Sequence, residues 1–352
     1  MHSERPDIDL NLALGDKLTM VNRGFVQSLC LRFGGERTAA ELAYADNLAE
    51  TRRLMQLIRA MQRQGVPLDP DGAAGSPDRG EPDFQVREKE VWLSDLDLMT
   101  RNLSSLRRAR STLGTSPALD GLIEEGAAFA AELQQRAEAA GNLAPSESGE
   151  PASDAEGRSL EDFLEYLDDT DERFLAGETA KARPVDEVLI AVLNTVLCNH
   201  FLAIEQFFLQ GFLLEQCGEK ALGEVRIGHS VDEMTCAFRV AQRIILLGAE
   251  PQPVFSSDIR LAHRVKVGSG PLAAVGRDLE LTEALIATLE DARALAQAAS
   301  EPGTVDILSR SLETERNQQR WLSGQRERLS KGEAAPEASG RFDTMLQRWA
   351  VA

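Results

Sequence analysis

At 352 residues the chain is about twice the ~150 residues of a typical domain, so two core-forming units are expected. Apolar residues make up 43% of it and aromatics only 5%, a mix dominated by Leu, Ala, Val and Ile that suits helices packed on helices. A formal charge of −19, with no Lys/Arg run interleaved with aromatics, sets nucleic acid aside as a partner, and no uninterrupted apolar run reaches the ~20 residues that cross a bilayer, so a cytoplasmic protein without a membrane partner is expected.

Four long helical patterns occupy the first part, at residues 8–34, 37–65, 85–113 and 117–139. Gly34-Gly35 and the Pro/Gly/Asp-rich stretch 67–82 separate them. Residues 1–140 are therefore read as one helical bundle. A Ser/Glu/Pro/Gly-rich stretch from 141 breaks all periodicity, and the segment 141–185 reads as an acidic linker. Within it Leu160, Phe163, Leu164 and Leu167 fall at i, i+3, i+4 and i+7, after a Ser159/Asp162 helix start, which predicts one short amphipathic helix. It packs either on the chain's own bundles or on a partner. A second bundle is read over 186–330.

The second part repeats the first at a shift of 183 residues. Leu10-Asn11 matches Leu193-Asn194, Phe25 matches Phe208, Gln27 matches Gln210, and Gly35-Glu36 matches Gly218-Glu219. Further on, Glu50 matches Glu233, Asp95-Leu96 matches Asp278-Leu279, and Leu106 matches Leu289. Amphipathic helices always align somewhere, but shared glycines at the first turn and a long Pro-containing connection after the second helix argue for an internal duplication. Such a connection lets the helix pairs run up-up-down-down instead of alternating.

Residues 193–209, LNTVLCNHFLAIEQFFL, and 228–247, GHSVDEMTCAFRVAQRIILL, resemble the first two helices of bacterioferritin, and 278–292 and 312–325 resemble its third and fourth by spacing. The resemblance implies an all-α chain of two tandem ferritin-like four-helix bundles. It also implies a core that in the family binds two irons through a Glu on each of helices one and three and a Glu-x-x-His on each of helices two and four. At those positions this chain has His200; Glu233 with Cys236; Thr282, flanked by Glu280 and Glu283 off the inward face; and Glu315 with Gln318. Two of six ligands remain, and Phe207 stands in place of the usual tyrosine. The oxygen-cleaving centre is expected to be lost. Two readings of what is left stay open: a hydrogen-bonded polar knot around a neutral histidine, or a site in which His200, Glu233, Cys236 and Glu315 hold a single zinc or iron ion.

The matching positions of the first copy are Lys17, Glu50, Arg53 and Met99, with the fourth helix too diverged to align. Two cations there would repel metal, so Lys17, Glu50 and Arg53 are read as a structural salt-bridge cluster. Asp232-Glu233-Met234 has the form that gives bacterioferritin its haem-ligating methionine, whereas the first copy has Thr51. Met234 is thus either plain packing or a haem b ligand shared between two chains.

Other chemistries lack their signatures. There is no Gly-x-Gly-x-x-Gly, no phosphate-binding Gly-x-x-x-x-Gly-Lys-Ser/Thr loop, no Gly-x-Ser-x-Gly elbow and no His-x-x-x-His pair. The four cysteines form no Cys-x-x-Cys, and reduced core cysteines are expected.

The chain closes with residues 331–352, a KGEAAPEASG spacer followed by Phe342, Met345, Leu346 and Trp349 at i, i+3, i+4 and i+7. Something must bury that stripe. By the resemblance it is a short fifth helix packed among neighbouring subunits of a homo-oligomer, either a cage or a smaller dimer; by its tether it is a docking peptide for a protein shell or another ferritin subunit. The function expected is a scaffold, interaction or cargo component with residual metal or haem binding. The alternative is working bacterioferritin-type iron oxidation and storage alongside an intact subunit.

Overall fold

A computed structural model describes residues 6–33, 36–68, 88–140, 186–251 and 268–333. The linker helix around 160–167 and the apolar tail residues Phe342, Met345, Leu346 and Trp349 lie outside these. Among the described residues all regular structure is α-helical: α1 (Pro6–Phe33), α2 (Arg37–Arg63), α3 (Glu88–Leu113), α4 (Pro117–Ala140), α5 (Glu187–Gln216), α6 (Lys220–Leu246), α7 (Pro271–Ala298) and α8 (Pro302–Ser330). The chain divides into two compact units, the first holding α1–α4 and the second α5–α8.

In the first unit α1 packs on α2 and α3, and α4 on α3 and α2; in the second, α5 packs on α6 and α7, and α8 on α7 and α6. Directions follow from side-chain pairs. Lys17 meets Glu50, Arg23 meets Asp95, Asn102 bonds the carbonyl of Ala13, and Arg108 meets Asp9, so α1 runs antiparallel to both α2 and α3. In the second unit the bonds Gln206–Asp278 and Asn199–Thr288 set α5 antiparallel to α7 in the same way. The order is therefore up-down-down-up. This corrects the up-up-down-down order expected from the sequence, which needs two long crossovers, whereas each unit has one, between its second and third helices.

The two units share a residue register. The first residues of α2 and α6, Arg37 and Lys220, are 183 positions apart, as are their last, Arg63 and Leu246, and Asp95 on α3 and Asp278 on α7 keep the same shift. Individual bonds repeat as well. Asn47 in α2 donates to the carbonyl of Val21, and Ser230 in α6 donates to that of Ile204, at 3.2 Å. At the ends of α1 and α5, Glu36 and Glu219 donate their N–H to the carbonyls of Leu31 and Leu214, each at 2.9 Å. Gly218, with φ of +87°, supplies the left-handed residue that this turn requires.

The sequence of α5 explains both its start and its burial. Asp186 caps it, its carboxylate accepting the N–H of Val188 and of Leu189 at 3.1 Å. By length and composition an 18-residue window of α5 is apolar enough to cross a membrane, although the sequence holds no uninterrupted apolar run, and two thirds of that window is buried within the protein. Polar side chains interrupt it at Asn194, Asn199, His200, Gln206 and Gln210, all buried. Where α5 meets α6 the backbones touch: a Cβ on Gly211 would lie 3.0 Å from the carbonyl oxygen of Gly223 and closer still to Ile227. The glycine pair sets how tightly this antiparallel hairpin closes and so the distance between His200 and Glu233 further along it.

Candidate functional site

The polar centre of the second bundle draws one side chain from each of four helices. His200 on α5, Glu233 on α6 and Glu315 on α8 are fully buried, as is Thr282 on α7. Apolar neighbours such as Phe207, Leu197, Cys236 and Leu312 also have almost no exposure. The Nδ1 of His200 lies 2.7 Å from Oε2 of Glu233, and Nε2 of Gln318 donates to the other Glu233 oxygen at 2.8 Å. An ionised carboxylate only accepts, so the proton of this pair sits on Nδ1. That leaves Nε2 facing outward from the bond, buried and without a protein hydrogen-bond partner.

Glu315 is in a more costly position. Neither of its carboxylate oxygens takes an N–H donor, and the group it faces is another acid, Glu233. Burial first, and then the charge and proximity of Glu233, hold its carboxyl well above the usual range. Thr282 Oγ1 and Gln318 Oε1 are likewise buried without partners. One ring nitrogen of His200 and one oxygen from each of Glu233 and Glu315 all lie within 4.8 Å of one another. Cys236 is buried one turn after Glu233 but does not join that group; burial first, then Glu233 and Glu315, push its thiol pKa up, and its side chain lies against Ser311. Glu280 and Glu283 are exposed, and the carboxylate that α7 buries is Asp278, one turn before Thr282.

Two further buried charges border this centre. Arg226 on α6 is fully buried; its Nε donates to Asp278 at 2.8 Å, and its guanidinium stands 3.7 Å from the centroid of the Phe207 ring, a desolvated cation–π contact. Gln206 donates to the other oxygen of Asp278 at 3.0 Å. Arg226 also hydrogen-bonds His229, whose ring meets that of Trp321 edge-on at 5.0 Å. Burial pulls the His229 pKa well below its usual range, with the charge of Arg226 adding to the effect, so this imidazole is neutral.

Arg226, Asp278 and Gln206 had no place among the sequence-predicted site residues. The repeat did contain a signal, since Asp278 matches Asp95, but periodicity alone could not show that its partner had moved. In the first bundle Asp95 is paired with Arg23, and 183 positions later stands Gln206. The cation has passed from the first helix of the pair to the second while the carboxylate stayed.

At the equivalent centre of the first bundle no oxygen of the retained glutamate is left over. One oxygen of Glu50 takes Lys17 and the other takes Arg53. The Lys17 ammonium also lies 3.9 Å from the sulfur of Met99. Burial lowers the lysine pKa, and the Glu50 carboxylate opposes that shift. Arg53 reaches toward Glu125 at 3.4 Å and lies over the Phe129 ring at 5.1 Å. Lys17 holds the register of His200, Arg53 that of Cys236 and Met99 that of Thr282.

The positions matching the family's dinuclear iron ligands do not supply the full ligand set in either core. In the second, the charge of Arg226 offsets that of Asp278, leaving two carboxylates and one imidazole for whatever binds. Two divalent ions ~4 Å apart repel by on the order of 16 kcal/mol at an effective dielectric of ~20, and two carboxylates neutralise only half of their charge. The first core already contains its own cations. Met234, on α6, is half-buried, and Thr51 at the matching position of α2 turns its hydroxyl back to the carbonyl of Asn47 at 2.9 Å. A chain thus brings one thioether to that register. Residues 190–331 match the family model of the ferritin-like domain.

Proposed function

We propose, from the membership of residues 190–331 in the ferritin-like superfamily, that this protein keeps the bundle architecture of iron storage while having given up dinuclear iron oxidation, and that it serves as a structural or docking component. The observation that supports this reading is the charge content of the two cores. One has Lys17 and Arg53 where metal ligands would stand, and the other brings only Glu233 and Glu315 together with His200. Four buried carboxylates and two imidazoles make the family's oxidation centre, and the matching positions of the second bundle supply only Glu233, Glu315 and His200 of that chemistry.

The apolar stripe Phe342, Met345, Leu346 and Trp349, tethered by a Gly/Ala/Pro-containing spacer, supports the docking half of the reading. In this proposal it is the contact through which the protein joins further copies of itself, a ferritin subunit or a protein shell. Haem is not part of it: Thr51 gives the first bundle no thioether, and a bis-methionine site would need the Met234 of two chains together.

The test is aerobic iron oxidation. Fe²⁺ mixed with the purified full chain in air, followed by ferric absorbance, should oxidise no faster than in a protein-free control. A rate clearly above that control would favour the other reading, a working bacterioferritin-type oxidase.

A further inference from the structure

We infer that His200, Glu233 and Glu315 form a site for one divalent first-row cation in the second bundle. The inference rests on the reading that the dinuclear centre is gone, and it adds that the remnant still binds metal. Three observations carry it. The three side chains come from three different helices and present ligand atoms within 4.8 Å of one another in a fully buried setting. In a tetrahedral site with bonds of ~2.1 Å, ligand atoms stand ~3.4 Å apart, within the same range.

The second observation is the set of unpartnered atoms. Buried polar groups in folded proteins are almost always hydrogen-bonded. Here Nε2 of His200 has no protein partner, and neither do Thr282 Oγ1 and Gln318 Oε1, while Glu315 faces only Glu233, a second acid. Acceptors outnumber donors at one point in the core. A cation satisfies that excess as no apolar repacking could, and the neutral oxygens of Thr282 and Gln318 complete its surroundings directly or through water.

The third is charge. With Arg226 and Asp278 offsetting each other, two carboxylates balance one dication, for which Glu233 exchanges its bond to the His200 ring. One nitrogen and two carboxylate oxygens suit Fe²⁺, Co²⁺ or Zn²⁺ over Ca²⁺ or Mg²⁺. The first bundle offers the internal contrast, since both Glu50 oxygens are taken there by Lys17 and Arg53.

Co²⁺ is the probe, because its visible absorption reports coordination without any turnover. The full chain, stripped with chelator and dialysed against Co²⁺, should retain one Co²⁺ per chain and show ligand-field bands, with its melting temperature raised by the ion. Glu315→Gln should lose the bands and bind Co²⁺ at least tenfold more weakly, yet melt no lower than the stripped wild type. His200→Gln, which keeps a donor for Glu233 but has no imidazole, should lose the bands too, so the test survives if one variant fails to fold. Absence of retained Co²⁺ in the wild type would overturn the inference and leave the proposed function intact. Binding unchanged in both variants would also overturn it, by placing the ion elsewhere. Two Co²⁺ lost together in Glu315→Gln would contradict both the inference and the loss of the dinuclear centre.

Discussion

Replacing Lys17 with methionine should destabilise the first bundle by about 3 kcal/mol, because it leaves the buried Glu50 carboxylate with one cation instead of two. Breaking a buried ion pair costs roughly 3–5 kcal/mol, and the surviving contact to the half-buried Arg53 keeps the effect at the lower end of that range. Adding Glu50→Gln should restore most of the loss, since no buried charge then lacks its partner. Hydrogen exchange in the full chain is the measurement, with α1 and α2 amides expected to exchange on the order of a hundredfold faster in the single variant and near the wild-type rate in the double. Unchanged exchange in Lys17→Met would mean that the three charges do not hold the first core together.

The second large effect is expected at Arg226. Arg226→Met removes the only cation shown paired with the fully buried Asp278, at a cost of about 3–5 kcal/mol near neutral pH. Burial already raises the Asp278 pKa, and Arg226 is the chief opposing influence, so the variant should raise it further. The sign of the pH dependence follows. A carboxyl whose folded pKa lies above its unfolded value of ~3.9 binds more protons in the folded state, so stability falls as pH rises through that interval and returns as pH is lowered. The variant should therefore lose its deficit against wild type on going from neutral pH toward pH ~4. Urea unfolding of the second bundle across that range checks this, and Arg226→Met with Asp278→Asn should remove both the deficit and its pH dependence. A deficit that is independent of pH would show that packing against Phe207, not the charge of Asp278, is what Arg226 supplies.

Much of this architecture was legible in the sequence because helices of this length carry their periodicity for many turns. The pattern at 37–65 corresponds to α2 and that at 117–139 to α4, and the 183-residue shift found in residue identities recurs in helix ends and in the Asn47 and Ser230 bonds. The fourth helices resisted alignment for a structural reason. Asp278 on α7 keeps the register of Asp95 on α3, but Ala298, which ends α7, stands 185 positions after Leu113, which ends α3, and α8 begins 185 positions after α4 instead of 183. No single shift carries a comparison across that turn.

The site was only partly readable. His200, Glu233 and Glu315 were visible as family positions, but which atoms lack partners is a property of packing between four helices, and nothing in the local sequence of Glu315 announces it. Cys236 illustrates the opposite case. The i, i+3 spacing puts it on the same face as Glu233, yet one helical turn carries its sulfur away from the point where the three ligand atoms meet, beside Ser311. The Arg226–Asp278 pair escaped notice because buried charges look like surface charges in a sequence, and its counterpart in the first bundle draws the arginine from a different helix.

The central claim is that two similar bundles have parted in what balances their buried glutamates, internal cations in one and a single metal ion in the other. Crystals of the full chain grown with Co²⁺ and measured at the cobalt edge test it most directly. The account predicts one anomalous peak in the second bundle, within bonding distance of His200, Glu233 and Glu315, and none between Lys17 and Glu50. A pair of peaks ~3.5–4 Å apart in the second bundle, the spacing of a dinuclear centre, or any peak at the Glu50 cluster, would contradict it.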